Sequence, residues 1–142
     1  MTPAQIKIVK RSFALIEGQR ERAAGLFFAH LFDIDPTMRL LFPGDLQRRG
    51  AKLIHAVGLI VEDLHRLHVF VPALEALAVR YVGYGLEQSH YAVVGEALSR
   101  TARSVLGLAF TPELEAALDT VYEELSSVMM EAARFGDYRL AA

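Results

Sequence analysis

The chain has 142 residues, of which 53% are hydrophobic and 23% are charged, and its formal net charge is −2. This length and composition fit one globular domain with its own core, and the nearly balanced charge speaks against a nucleic acid or an acidic membrane surface as a partner. The chain contains no cysteine, which excludes disulfides, thiolate metal sites and cysteine nucleophiles.

The first half of the chain carries clear signals for helix starts and stops. Thr2 followed by proline predicts a helix N-cap, and apolar residues at helical spacing continue from there until Gly18. A second helix is predicted over about residues 19–32. Asp35 and the proline after it predict a new cap with a short helical turn, and the Phe-Pro-Gly-Asp at residues 42–45 predicts a turn.

The second half of the chain continues the helical pattern. Apolar spacing predicts four further helices, over about residues 46–64, 71–81, 90–106 and 112–133. A polar connection is expected at residues 65–68. Gly83 and Gly85 break the helix that reaches Tyr81, and Thr111 before a proline caps the last helix.

These elements predict an all-α domain of six or seven helices over residues 1–135, followed by a loose tail over residues 136–142. No strand-like alternation, internal repeat or interdomain linker interrupts the pattern. The N-terminus lacks the charged and apolar regions of a signal peptide, and no apolar run is long enough to cross a bilayer. We therefore expect a cytoplasmic protein.

Motifs for enzyme catalysis are missing. The sequence contains no nucleophile elbow, dinucleotide fingerprint or phosphate loop. The histidines do not have the spacing of a metal site. We expect His65 and His68 to be solvated and His30 and His55 to be satisfied by neighbouring groups. His90, at a helix start, is expected to cap or pack, with metal ligation as the weaker alternative.

Three segments of the chain resemble the globin family. Residues 26–32, with the Asp-Pro and Leu-Leu-Phe that follow, resemble its second helix and the corner after it; residues 52–58 resemble its distal helix; residues 72–96 resemble its proximal helix and the start of the next one. The order of these segments over residues 3–133 is similar to the order in single-domain bacterial globins, in the globin domain of flavohaemoglobins and in neuroglobin-like chains. The resemblance implies a globin fold around a haem-type pocket, with haem b as the cofactor.

The resemblance also implies an unusual iron ligand. In the family, the histidine that binds iron ends the proximal helix, follows a basic residue and precedes by ten residues the tyrosine of a His-Tyr-x-x-Val-Gly motif. That tyrosine is Tyr91 here, and ten residues before it stands Tyr81, preceded by Arg80. Tyr81 is therefore the metal ligand that the resemblance implies, whereas His90 belongs to the later motif.

The other haem contacts follow from the same resemblance. The distal tyrosine of the family falls on Phe28 and the distal glutamine or histidine falls on Arg49, while Lys52 and Arg80 match positions that face haem propionates. The carboxylate that polarises the proximal ligand in flavohaemoglobins falls near Phe135, so this chain lacks it. The remaining expected lining is apolar or aromatic: Phe27, Phe42, Leu53, Val57, Leu77, Leu86, Tyr91 and Val94.

A tyrosine ligand changes the expected chemistry. Phenolate is an axial ligand in some haem proteins, and its negative charge favours ferric over ferrous iron. A tyrosine with the ordinary pKa of about 10 needs roughly 4 kcal/mol of help to ionise at pH 7, which ferric iron can supply. Only ferrous haem binds oxygen reversibly, and Phe28 donates no hydrogen bond. We therefore expect a ferric haem protein that binds a small gaseous or anionic ligand, or serves redox or sensing, rather than an oxygen store.

Two alternatives stay open on the sequence alone. The first is a haem-free globin in which Tyr81 only packs and the pocket is closed or holds another apolar ligand, as a sensor or interaction module. The second is a haem peroxidase with Arg49 as its distal polar residue. Arg49 could instead steady an anionic ligand, meet a propionate or reach solvent. No segment indicates a redox partner, and residues 126–130 give weak support to a homodimer through the last two helices.

Overall fold

A computed structural model describes the backbone of residues 1–141 and the side chains of residues 1–134. Over these residues the chain folds into six α-helices. The helices are α1 (Pro3–Glu17), α2 (Arg20–Ile34), α3 (Leu46–Glu62), α4 (Val71–Gly83), α5 (His90–Leu106) and α6 (Pro112–Ala141). Short 3₁₀ segments lie at Pro36–Leu41, Leu64–Phe70 and Gly107–Ala109. No strand occurs within residues 1–141, which confirms the all-α prediction, and none of the described helices is long and apolar enough to cross a bilayer.

Side-chain caps begin four of the helical segments, three of them at residues that the sequence indicated as caps; the fourth, Asp45, was assigned only to a turn. The Thr2 hydroxyl accepts a hydrogen bond from the Gln5 backbone N–H, and the Gln5 side chain accepts one from the Thr2 backbone, which makes a reciprocal capping box. Asp35, Asp45 and Thr111 cap the segments that follow them. These bonds satisfy backbone N–H groups that a helix start leaves without an intrahelical partner.

Helix α2 lies at the centre of the domain, where it packs against both α3 and α5. The crossing with α3 is close because Gly50 has no side chain: a Cβ there would lie 2.6 Å from the Ala24 Cβ and 3.1 Å from the Phe28 Cε2. Helix α4 packs along α6, and α1 lies against α3 and α6. By contrast, α3 and α4 are scarcely in contact. The two helices that the globin resemblance assigns to opposite faces of a pocket are therefore not packed together.

Within residues 1–134, the apolar core divides into four clusters. The largest, which we call the central cluster, joins α2, the first 3₁₀ segment and α5, and it contains Phe27, Phe28, Leu31, Met38, Leu41, Phe42 and Ala97. A second cluster joins α1, α3 and α6 around Val9 and Val61. The central cluster carries the residues on which the candidate site is built.

Two boundaries differ from the prediction. Helix α3 ends at Glu62, and the expected polar connection is a 3₁₀ segment because Leu64 within it is buried in the second cluster. Helix α6 continues to Ala141, well beyond its predicted end near Ala133, since one glycine in that stretch costs a helix about 1 kcal/mol without ending it. The division into a domain over 1–135 and a tail over 136–142 stays a prediction, and the side chains from Phe135 onward lie outside the described part of the structure.

Candidate functional site

The backbone fixes the corner between α4 and α5. Helix α4 ends at Gly83, and the carbonyl oxygen of Tyr81 accepts hydrogen bonds from the N–H groups of both Tyr84 (3.0 Å) and Leu86 (2.9 Å). Gly85 adopts a left-handed conformation with φ +99°, which favours glycine. The break predicted at Gly83 and Gly85 is confirmed, and it holds Tyr81 and Tyr84 in a fixed relation to each other.

Tyr81 lies half-buried against the central cluster. Its ring contacts the ring of Phe42, with centroids 5.8 Å apart and planes at 48°, and the ring of Tyr84, with centroids 5.5 Å apart and planes at 73°. Both distances fall in the usual range for aromatic pairs. Because Phe42 is buried and Tyr84 is exposed, Tyr81 connects the core to the surface.

Phenylalanine rings continue from Tyr81 into the core. Phe42 packs edge-on against Phe28 at a centroid distance of 5.3 Å, and Phe28 contacts Phe27 and Phe32 at 5.2 and 5.6 Å. Phe27, Phe28 and Phe42 are all buried. These side chains carry no polar hydrogen, so they give the site an apolar wall without a hydrogen-bond donor.

The other apolar residues expected in the site fall into two groups. Leu53, Leu86 and Val94 are half-buried and pack against the central cluster, so the structure brings them together with the aromatic wall. Val57 packs against the second cluster instead, and Leu77 is half-buried on α4 and belongs to none of the four clusters. The residues of the first group are each half-buried, so part of their apolar surface is not covered by the protein.

The three basic residues expected in the site lie at its edge. The Nε of Arg49 donates a hydrogen bond to the carbonyl oxygen of Pro43 at 2.7 Å, which ties the first turn of α3 to the preceding corner. This contact was not among the roles that the sequence indicated for Arg49, because it depends on the shape of the corner. Lys52 on α3 and Arg80 on α4 are exposed.

Tyr91, in the first turn of α5, is 6% exposed, and its hydroxyl has no hydrogen-bond partner. Burial raises the pKa of Tyr91, since the ionised phenol loses its hydration there. An unpaired buried hydroxyl costs about 1–3 kcal/mol. An acceptor atom placed beside it would therefore be stabilising.

Tyr122 on α6 is a part of the frame that sequence reasoning missed. Its hydroxyl donates to the carbonyl oxygen of Tyr91 at 2.6 Å, and burial, with Tyr91 nearby, raises the pKa of Tyr122. Gly95 makes room for this contact, because a Cβ there would lie 2.7 Å from the Tyr122 Cε2. The tyrosine and the glycine of the His-Tyr-x-x-Val-Gly motif thus hold α5 against α6. The sequence shows an aromatic residue on the apolar face of α6, but this pattern does not indicate which residue of α5 the Tyr122 side chain contacts.

The histidines take structural or surface roles. His90 Nδ1 accepts a hydrogen bond from the Glu87 backbone N–H at 2.8 Å and closes the turn into α5, in agreement with the capping interpretation. His30 and His55 lie 3.2 and 3.8 Å from polar side chains of neighbouring helices, and the histidines at 65 and 68 are exposed. Within residues 1–134, no group of three or more His, Asp or Glu side chains is placed to hold a metal ion.

Comparison with known proteins identifies the family. A family model described as Globin matches residues 25–129. The flavohemoprotein of Bordetella bronchiseptica is 28% identical over 94% of the chain, and that of Rhodopirellula baltica is 27% identical over 88%. The chain spans about a third of their length, 34% and 31%. An engineered carbene transferase from Rhodothermus marinus shares the fold, with a TM-score of 0.90 over 100% of this chain and 99% of that one at 20% identity. The chain belongs to the globin family.

Proposed function

We propose that this globin binds ferric haem with Tyr81 as the proximal ligand of the iron, and that it serves small-ligand binding, redox chemistry or sensing rather than oxygen storage. The observation that carries the proposal is the position of Tyr81, at the end of α4 against the central cluster, where the globin pattern has its iron ligand. When bound, haem supplies an iron centre that takes a small ligand and exchanges single electrons.

Three features of the site fit haem. The apolar side chains of Leu53, Leu86 and Val94, which pack against the central cluster, are only half-buried. The phenol oxygen of Tyr81 is a donor that ferric haem accepts in other proteins. The buried hydroxyl of Tyr91 lacks a partner, so an acceptor brought beside this hydroxyl would remove a cost of about 1–3 kcal/mol.

The residues on both sides favour the ferric state. When haem is bound, a phenolate from Tyr81 would carry a negative charge that stabilises the higher charge of ferric iron. On the other side, Phe28 offers no hydrogen bond to a distal ligand, and Arg49 donates through its Nε to the Pro43 carbonyl oxygen. Lys52 and Arg80, exposed on α3 and α4, are the residues that would hold the propionates.

One observation favours a second candidate, a haem-free globin that acts as a sensor or interaction module with a closed pocket. The ring centroids of Phe42 and Tyr81 are 5.8 Å apart. A flat macrocycle between two rings needs about 3.5 Å on each side, or roughly 7 Å in total. These two rings must therefore separate before a porphyrin can lie between them. If that separation is too costly, the protein works without haem.

Titration of the protein with hemin, followed by absorption spectroscopy, distinguishes the two candidates. We expect tight uptake with a Soret band and a phenolate-to-iron charge-transfer band. Tyr81→Phe should lose the charge-transfer band, whereas Tyr84→Phe, which removes the same hydroxyl one turn away, should keep it. Absence of uptake by the unaltered chain would favour the haem-free candidate, and an unchanged spectrum in Tyr81→Phe would assign the iron to another ligand.

A further inference from the structure

We propose that the turn over residues 42–45, which we call the Phe42 turn, is a gate over Tyr81 that two arginines hold closed. The Phe42 ring lies against the Tyr81 ring, with centroids 5.8 Å apart. The side chains of Arg39 and Arg49 bind the backbone of the same turn from either side. The gate is a property of the chain without any cofactor, so it does not depend on whether haem binds.

Two hydrogen bonds to consecutive carbonyl oxygens of the turn form the latch. The Nη1 of Arg39 donates to the Phe42 carbonyl oxygen at 2.5 Å. The Nε of Arg49 donates to the Pro43 carbonyl oxygen at 2.7 Å. Neither guanidinium forms an ion pair with a side chain of residues 1–134. Because a hydrogen bond from a charged group is stronger than one between neutral groups, losing either bond should shift the equilibrium toward an open turn.

Apart from the Phe42 ring, the turn has little packing of its own. Pro43, Gly44 and Asp45 are all exposed. Gly44 has a left-handed φ of +89°, and no atom lies within 4 Å of the position that a Cβ would take there. Local opening costs least where backbone is exposed and few apolar contacts are buried. The main cost of opening is the removal of the buried Phe42 ring from the central cluster, so the open turn is a minor state.

The opposite wall of the gate is fixed because α4 packs along α6. Ala78 on α4 is fully buried against two alanines of α6. Alanine has no side-chain rotamers, so this contact cannot rearrange by side-chain rotation. The Gln88 side chain donates to the Met130 carbonyl oxygen at 3.3 Å and ties the loop after α4 to the same helix. We therefore expect the Phe42 turn, rather than Tyr81, to move when the gate opens.

Hydrogen exchange of the Phe42 N–H, followed by NMR, tests the latch. This N–H donates to the Arg39 carbonyl oxygen at 3.3 Å, so it exchanges when the turn opens. Arg49→Ala should speed the exchange about fivefold to tenfold, which corresponds to the loss of one hydrogen bond. Arg48→Ala is the matched control, because Arg48 is exposed and its side chain makes no hydrogen bond to residues 1–134; the rate should stay the same. An unchanged rate in both Arg49→Ala and Arg39→Ala would overturn the latch.

The Leu86 N–H reports whether the opposite wall moves as well. It donates to the Tyr81 carbonyl oxygen at 2.9 Å, at the end of α4. Its exchange rate should be the same in Arg49→Ala as in the unaltered chain, since only the Phe42 turn opens. An equal rise at Leu86 and at Phe42 would show that the whole region loosens, which contradicts a gate.

Fluorine NMR shows whether the ring contact opens together with the turn. In protein labelled with 3-fluorotyrosine, the Tyr81 signal is assigned by its loss in Tyr81→Phe, and it senses the Phe42 ring beside it. In the double variant Arg39→Ala/Arg49→Ala the two losses multiply, so the signal should move toward its position in Phe42→Leu. A signal that stays in place while the Phe42 N–H exchanges faster would contradict the gate. Every measurement uses protein without hemin, so a failure of hemin uptake removes the proposed function and leaves this test intact.

Discussion

Helix α3 belongs to two helix pairs that are packed in opposite ways. It crosses α2 closely, whereas it has little contact with α4. At the crossing, Gly50 brings two backbones so close that a methyl group has no room, and Leu31, further along α2, is fully buried in the central cluster. Between α3 and α4 there is little contact, and Leu53 and Leu77 are only half-buried. Close packing thus holds the frame, while the apolar surface of the site is left partly uncovered. Substitutions in the first region should change stability, and substitutions in the second should change ligand binding.

The largest expected difference separates two leucine truncations. Leu31→Ala removes a fully buried side chain and should lower the free energy of unfolding by about 2–5 kcal/mol. Leu53→Ala removes a half-buried one that packs against the central cluster, and it should cost roughly 1 kcal/mol while weakening hemin binding. Urea unfolding of the two variants without hemin, and hemin titration of Leu53→Ala, provide the measurements. Equal losses of stability would contradict the contrast between the two regions.

A smaller difference separates two glycine substitutions on the crossing helices. Gly50→Ala places a Cβ 2.6 Å from the Ala24 Cβ, and the forced shift should cost about 1–3 kcal/mol. Gly25→Ala, on exposed α2 surface with no atom within 4 Å of the new Cβ, should instead stabilise the protein by roughly 0.5–1 kcal/mol. Thermal unfolding measures both. If both substitutions changed the stability in the same direction, the contact between Gly50 and Ala24 would not be what limits the approach of α2 and α3.

The smallest effect concerns the α5–α6 contact and its dependence on pH. Tyr122→Phe removes the hydrogen bond to the Tyr91 carbonyl oxygen and should cost about 1 kcal/mol at neutral pH. Burial raises the pKa of Tyr122 above its ordinary value of 10.0, so the stability that this phenol contributes is present below pH 10 and is lost as the pH rises past it.

The variant has no phenol at this position and should lose stability less steeply above pH 10 than the unaltered chain. The free energy of unfolding of both proteins from pH 8 to pH 11 measures the effect. Parallel curves would show that the Tyr122 hydroxyl is not shielded from solvent as its pKa indicates.

Local chemistry made the helices predictable. Thr2, Asp35 and Thr111 cap the segments that the sequence assigned to them, and the glycines around Tyr84 end α4 where expected. These signals act within a few residues of the chain, so a single sequence carries them. The sequence did not locate the end of α6, because neither a proline nor a pair of glycines marks a stop after Ala133. A helix that begins in a packed domain can continue past a single glycine.

The candidate site was only partly predictable because its contacts join distant parts of the chain. Phe42 and Tyr81, which the globin pattern assigned to the same pocket, lie with their ring centroids 5.8 Å apart, a distance that the sequence did not indicate. The bond from Tyr122 to the Tyr91 carbonyl oxygen and the placement of Val57 in another cluster depend on how helices far apart in sequence meet. Spacing within a helix does not encode such pairings.

Resonance Raman spectroscopy of the hemin-loaded ferric protein tests the central claim most directly. Excitation in the charge-transfer band enhances ring vibrations of a phenolate only when that phenolate is bonded to the iron. Tyrosinate bands in the unaltered chain and in Tyr84→Phe, together with their absence from Tyr81→Phe, are the result that the account predicts. Hemin uptake without tyrosinate bands, or bands that persist in Tyr81→Phe, would contradict it.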